Sequence, residues 1–250
     1  MEVLYLCVLG LVQGLCEFLP ISSSGHLVLL SRIFGIEDSL FVSIVLHVAT
    51  LMAVVIVFRK DILYMIKHPL SPQTINLCLA TIPTCIIVFV LMPLVNASFG
   101  GGYLAVCFFI SAGLLFFTQR STKSATCFTK KNALIMGIAQ GLAVFPGISR
   151  SGTTICAGLL SGGDKKECAK FSFLMSLPII FLSMIMEIGE IALGGQSVTV
   201  NPVGMILAFL IAFAVGILSI KLMIKLTEKS NFKWFSLYLV LLGIVTLFLI

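Results

Sequence analysis

The 250-residue chain is 59% hydrophobic and only 10% charged, with a mean hydropathy of +1.17 and a formal net charge of +6. A soluble domain carries about 25% charged residues, so this composition excludes a water-soluble globular protein and predicts an integral membrane protein. The basic excess sits in short segments between apolar runs, so it is read as membrane topology and no nucleic-acid partner is expected.

In chain order, residues 3–34 pair two short apolar pieces, Val3 to Leu19 and His26 to Phe34, around a polar break. Three apolar runs follow: Phe41 to Phe58, Ile75 to Val95 and Gly100 to Thr118. Residues 133–160 repeat the broken pattern, with Ala133 to Phe145 and Thr153 to Leu160, and three more runs close the chain: Phe171 to Gly194, Asn201 to Ile224 and Phe232 to Ile250. Runs of roughly 20 apolar residues cross a bilayer as helices, because a helix satisfies its own backbone groups in hydrocarbon. The second piece of each broken segment is too short for that. The N-terminus has no basic region followed by a small-residue cleavage site, so no removable signal peptide is expected. The eight cysteines are scattered, mostly within apolar runs and without a CxxC pair, and are read as small hydrophobes in helix packing.

The two broken segments are copies of each other. Gly10 to His26 (GLVQGLCEFLPISSSGH) lies over Gly137 to Thr153 (GIAQGLAVFPGISRSGT) without a gap, at an offset of 127 residues. The same offset carries the first three runs close to the last three, so the repeat is the whole half, 1–122 and 123–250, within one membrane domain. Each broken segment is read as a re-entrant helix–loop–helix hairpin that enters and leaves on one side, its polar turn covered by protein at membrane depth. A half then has three crossings, and the second half is inverted relative to the first. The expected fold is therefore an all-α membrane protein with inverted-topology repeats, each a re-entrant hairpin plus three transmembrane helices.

Charge bears on the orientation. With the hairpins taken as non-crossing, one face receives Arg59, Lys60, Lys67, Arg120, Lys123, Lys130, Lys131, Lys165, Lys166, Lys170, Lys221, Lys225, Lys229 and Lys233. The other receives Arg32, and Arg150 lies at a hairpin turn. The positive-inside rule makes the first face cytoplasmic, with both termini outside. The first hairpin then dips in from the outer face of the plasma membrane, the second rises from the cytoplasmic face, and their turns meet near the midplane. Two full crossings per hairpin would leave the parity unchanged.

The copies differ in chemistry: Glu17 faces Val144, Ser23 faces Arg150 and His26 faces Thr153. Gln13 and Glu17, four apart, share one helix face and offer hard oxygen ligands suited to Mg²⁺ or Ca²⁺; the carboxylate is equally fit to be a general base. Ser22, Ser23, Ser24 and Gly25 begin a helix whose free N–H groups suit an anion, and His26 in that turn can be nucleophile, base or acid. Arg150, deep in the second hairpin, calls for either Glu17 or a bound phosphate as its partner. His47 is read as packing or as support for the site, Glu187 and Glu190 as snorkelling to water, and Trp234 and Tyr238 as an interfacial anchor.

QGLCEFLPISSSGHL, LHVATLMAVVIVFRKDI, PGISRSGTT and AKFSFLMSLP closely resemble the undecaprenyl pyrophosphate phosphatase family of the bacitracin-resistance type, in order over essentially the whole chain. The resemblance implies an integral membrane enzyme that removes one phosphate from undecaprenyl pyrophosphate, regenerating the lipid carrier for peptidoglycan and other envelope polymers. It places the acidic-or-amide x-x-x-Glu motif on Gln13 and Glu17, the serine and histidine on Ser23 and His26, and the arginine motif on Ser149, Arg150 and Thr154. Gln13 is a variant that the family pattern admits, one negative charge short of a glutamate. The expected catalytic residues are Glu17, Ser23, His26 and Arg150. A divalent cation, Mg²⁺ or Ca²⁺, is expected on Gln13 and Glu17, and phosphate oxygens on Ser22, Ser24, Gly25, Ser149, Ser151, Gly152, Thr153 and Thr154. Ser23, His26 and water remain open as nucleophile, with Ser23 favoured. A homodimer and entry of the lipid from the outer leaflet are further expectations; a transporter or flippase of a polyprenyl phosphate is the alternative function.

Overall fold

The computed structural model describes residues 2–34, 40–98, 102–118, 127–194, 200–229 and 232–249, which form eleven helices and no strand. They are α1 (Glu2–Cys16), α2 (Ser23–Phe34), α3 (Leu40–Val57), α4 (Arg59–Lys67), α5 (Pro72–Ser98), α6 (Leu104–Thr118), α7 (Lys130–Leu142), α8 (Arg150–Leu160), α9 (Lys165–Gly194), α10 (Pro202–Lys229) and α11 (Lys233–Leu249). The boundary expected between Thr122 and Lys123 lies outside the described residues, as do Arg120 and the side chains of Glu187 and Glu190.

Local chemistry sets the helix starts. Proline opens both α5 and α10, where its missing N–H costs nothing. Ser71 Oγ accepts from Thr74 N ahead of α5, and Asn201 Oδ1 from Gly204 N ahead of α10, at 3.4 and 3.0 Å. Asp164 Oδ1 accepts from Lys166 N and Glu167 N, both at 3.0 Å, at the head of α9. Thr129 and Asn132 close a reciprocal capping box on α7.

Three helical segments are long and apolar enough to cross a membrane: Pro72–Val95, Lys165–Met186 and Pro202–Lys229. A fourth candidate is α3 with α4, which meet at a 77° bend; α1, α6 and α11 are apolar but shorter. The structure thus adds an element that the charged segment after Phe58 did not announce, since Arg59–Lys67 is helix rather than loop. An ion pair from Lys170 Nζ on α9 to Asp61 Oδ1 at 2.5 Å holds α4 in place.

Helix pairing follows the repeat. α1 packs along α10, and α7, its counterpart, along α5, the counterpart of α10; α3 meets α9 and α6 meets α11. Glycines bring the backbones together in both long contacts. A Cβ on Gly10 would strike Ala208 O, and one on Gly14 would lie 2.7 Å from Ala212 O. On the other side a Cβ on Gly137 would strike Ala80 O, and one on Gly141 would lie 2.7 Å from Ile87 Cβ. Both registers rise together, so α1 runs parallel to α10 and α7 parallel to α5. Close backbone approach through small residues is how helices associate where no hydrophobic drive separates them from lipid. A main core of buried side chains, among them Phe18, Phe108, Phe173 and Leu174, lies under the two hairpin turns.

The glycine contacts yield a stability test. Gly137→Ala should cost about 1–3 kcal/mol, because backbone rather than a flexible side chain blocks the new methyl. Gly113→Ala on α6, where a Cβ meets nothing within 4 Å, should be neutral. Unfolding midpoints of the two variants in one detergent compare them directly.

Candidate active site

The site forms where the two breaks face each other. α1 ends at Cys16, but the backbone continues its pattern, with Glu17 N donating to Gln13 O at 3.0 Å, so both side chains project one turn apart. Phe18 is fully buried against Phe173, ring centroids 5.6 Å apart and edge-on, which anchors the turn to α9. The chain restarts as helix at Ser23 in one copy and at Arg150 in the other, positions related by the repeat offset. Ser22 Oγ accepts from Gly25 N at 3.3 Å, and Ser149 Oγ from Gly152 N at 3.1 Å, so equivalent serines cap equivalent helices. The residue that follows each cap is the one the copies have made chemically different.

The turns touch at several points. Ser151 Oγ donates to Leu19 O at 3.1 Å, a Cβ on Gly25 would lie 2.9 Å from Gly147 Cα, and one on Gly152 would lie 3.0 Å from Pro20 Cβ. Gly147 itself has φ +92°, open to glycine at little cost. Across this junction Arg150 Nη2 donates to Glu17 Oε1 in a direct ion pair, with side chains only 16% and 6% exposed.

Glu17 is the hub. Its Oε2 accepts from Ser23 Oγ at 2.6 Å and from Gln13 Nε2 at 3.1 Å, while Oε1 takes the guanidinium. One carboxylate therefore gathers the amide, the hydroxyl and the cation named from the sequence. His26 is oriented differently. Its Nδ1 lies 2.7 Å from Ser22 O, and its Nε2 lies 2.6 Å from the Tyr238 hydroxyl. A carbonyl only accepts, so Nδ1 carries the proton and Nε2 accepts from the phenol. His26 sits in the same turn as Ser23, but both its ring nitrogens are spent on other partners.

The remaining hydroxyls divide by what they touch. Thr154 Oγ1 bonds Arg150 O at 2.8 Å, Ser151 O at 3.1 Å and Ser172 Oγ at 2.6 Å, and so ties α8 to α9. Ser24 Oγ lies 3.4 Å from Ser22 Oγ at the half-buried edge of the turn. Thr153 Oγ1 and Arg150 Nη1, both buried, have no hydrogen-bond partner, and neither does Gln13 Oε1. Buried polar atoms without partners are uncommon, and these three belong to residues of the two hairpins; Gln140 Oε1, the repeat counterpart of Gln13 Oε1, lacks a partner as well. Two of them, the Thr153 hydroxyl and the Arg150 N–H, can donate to an anion; the third is an acceptor beside a carboxylate. No group of three or more His, Cys, Asp or Glu side chains fit to hold a metal occurs among the described residues. His47 Nδ1 lies 2.8 Å from Ser43 O on α3.

Tyr238 makes a contact that reading the chain missed. Its spacing of four from Trp234 on the last apolar run matches an interfacial anchor, and both residues are exposed, yet the Tyr238 hydroxyl also lies 2.6 Å from His26 Nε2.

A buried arginine–carboxylate pair thus joins the two repeated hairpins, with a serine on the same carboxylate. The family model for the bacitracin resistance protein BacA matches residues 6–245. The chain belongs to this family. Among similar curated proteins, one from Christiangramia forsetii named undecaprenyl-diphosphatase is 36% identical over 262 residues, covering 99% of this chain and 98% of its own. Another of that name, from Thermosipho melanesiensis, is 38% identical over 246 residues, with 95% of each chain covered. A third, from Carboxydothermus hydrogenoformans, is 36% identical over 248 residues, covering 97% and 95%.

The ion pair yields a folding prediction separate from activity. Arg150→Ala leaves a buried carboxylate unpaired and should cost about 3–5 kcal/mol, whereas Arg150→Met with Glu17→Gln should recover most of it. Chemical unfolding of the single and double variants measures the difference.

Proposed function

We propose that this protein hydrolyses undecaprenyl pyrophosphate to undecaprenyl phosphate and inorganic phosphate, at the junction of the two hairpins. The observation that carries the reading is the Ser23 hydroxyl donating to Glu17 at 2.6 Å, with Arg150 on the same carboxylate. A carrier of lipid phosphates needs an anion site but not a hydroxyl held on a base. The names of the relatives, over nearly the whole chain length, point the same way.

In this mechanism the terminal phosphate sits on Arg150 Nη1 and Thr153 Oγ1, whose donors are buried and without partners in the protein itself. The N-terminal turns of α2 and α8 add their dipoles, with Ser24 at the rim. Ser23 Oγ attacks the terminal phosphorus and its proton passes to Glu17; as the bridging P–O bond breaks, the departing lipid monophosphate takes that proton from Glu17, which is again a carboxylate. Water then cleaves the phosphoserine, with Glu17 as base, and releases inorganic phosphate. Ser23 is preferred to His26 as nucleophile because His26 Nε2 is occupied by the Tyr238 phenol, while the Ser23 hydroxyl already lies on a carboxylate. Charge neutralisation and positioning supply most of the acceleration of phosphoryl transfer.

The donor set suits a hard cation. Gln13 Oε1 is a buried oxygen without a partner, one turn from Glu17, so these two side chains would hold a cation through oxygen only. Mg²⁺ or Ca²⁺ bound there would supply further neutralisation of the pyrophosphate.

We place the hairpins as re-entrant and the halves, 1–122 and 123–250, as inverted. α2 and α8, at 12 and 11 residues, extend about 18 and 17 Å, short of a hydrocarbon core of about 30 Å. The parallel pairing of α1 with α10 and of α7 with α5 supports entry from opposite faces, given the crossing parity and the basic clusters. With both termini outside, Glu17 and Ser23 belong to the hairpin that opens to the outer leaflet of the plasma membrane.

Purified protein should release phosphate from a long-chain prenyl pyrophosphate in a reaction stimulated by Mg²⁺ or Ca²⁺. Glu17→Gln should lower kcat by about 10²–10⁴-fold, the usual worth of a general base. Ser23→Ala should abolish phosphoserine formation under rapid quench; turnover at the wild-type rate in that variant would reassign the nucleophile to water or His26.

A further inference from the structure

Tyr238 lies outside both hairpins, 212 residues along the chain from His26, yet its hydroxyl is 2.6 Å from His26 Nε2. The two rings are nearly parallel, 6° apart with centroids 5.7 Å from each other, and Phe108 meets the imidazole edge-on at 6.0 Å. α11 is itself pinned at this level, because Ser236 Oγ donates to Ala112 O of α6 at 2.7 Å. The phenol therefore approaches from a fixed helix. On the far side of the imidazole, Nδ1 reaches Ser22 O at 2.7 Å.

Ser22 is the unusual residue of that turn. It adopts φ +67°, the one described non-glycine residue with positive φ. A side-chain-bearing residue held there stores strain that its surroundings must offset. Its carbonyl accepts the imidazole N–H, its hydroxyl caps α2, and the next residue is Ser23 on Glu17. A continuous chain thus runs from the Tyr238 O–H to His26 Nε2, from His26 Nδ1–H to the Ser22 carbonyl, and through one peptide unit to the nucleophilic hydroxyl.

We infer that Tyr238 is a positioning residue for the reaction: its phenol holds the His26 ring in the orientation that keeps Nδ1–H on the Ser22 carbonyl, and His26 in turn clamps the strained Ser22 turn that aims Ser23 at Glu17. Without the phenol the imidazole keeps its packing against Phe108 but loses the partner that holds Nε2 in place. The ring is then free to turn from the Ser22 carbonyl, both tautomers become accessible, and the clamp on Ser22 opens part of the time. The residue acts through another and touches no reacting atom.

This inference rests on Ser23 and Glu17 being the reaction centre, and the test keeps the two apart. Tyr238→Phe preserves the ring, so the fold and its packing survive. The chain has three histidines, so selective ¹⁵N-histidine labelling gives a small spectrum, which His26→Asn assigns. In the parent protein the His26 pair should read Nδ1 protonated and Nε2 bare and hydrogen-bonded; in Tyr238→Phe it should shift toward a mixture of tautomers. Phosphate release should fall about tenfold in kcat, the worth of one well-placed hydrogen bond, with KM within about twofold. An unchanged His26 spectrum overturns the proposal even if activity falls, since Tyr238 would then act by itself. A tautomer shift with unchanged kcat also overturns it, as does a rise in KM alone, the signature of a lipid-contact role. If the parent protein releases no phosphate while its His26 spectrum is as expected, the fault lies with the function assigned to the site, and the clamp on Ser22 stands as a structural fact only.

Discussion

The ion pair between Arg150 and Glu17 is the contact on which the rest of this architecture turns. Each group alone would be costly at membrane depth, and each comes from a different copy of the repeated hairpin. Neither half can bury its charge without the other, so the pairing of the halves and the assembly of the site are one event. The short bonds around it follow: once Glu17 is fixed by Arg150, its second oxygen is aimed to collect Ser23 and Gln13. Ser151 on Leu19 and the apposed Gly25 and Gly147 let the two turns approach closely enough for the pair to form.

Duplication followed by divergence explains why the chemistry is concentrated so tightly. Both copies keep the scaffold: a glycine-lined first helix that lies against a long partner helix, a serine cap, and a glycine three residues beyond it. What differs are the side chains at the start of the second helix and one turn before the break. Gln140 illustrates what a copy does once its acid has become Val144. Its Nε2 donates to Met175 O at 3.2 Å, so the amide holds α7 to α9 where Gln13 instead holds a carboxylate.

Much of this was legible in the chain because the signals are local. The gapless repeat, the broken apolar segments and the exchange of Ser23 for Arg150 are all visible within two stretches of about thirty residues each. What escaped depends on contacts distant in sequence or on how a hydroxyl is spent. Tyr238 carries the same pattern whether its phenol meets headgroups or an imidazole 212 residues away. Thr154 looks like a phosphate ligand in a polar motif, yet three neighbours occupy its oxygen. α4 was hidden because Arg59, Lys60 and Asp61 at the end of an apolar run read as a loop, whereas they begin a helix turned 77° from α3.

The amide at position 13 bears on how the site is balanced before substrate arrives. With Gln13, the buried charges at the junction are one carboxylate and one guanidinium, and they cancel. A second carboxylate there would leave a buried negative charge that only a proton or a resident cation could offset. The chain avoids that cost, so its hairpins can close on each other without a cation. Any demand for Mg²⁺ or Ca²⁺ then comes from the pyrophosphate, whose charge exceeds what one arginine neutralises. Cation and substrate should therefore enter together, each raising the other's affinity, since linkage makes such coupling reciprocal. A glutamate at this position would add a second buried carboxylate, and a cation held there would then depend less on substrate than one beside an amide.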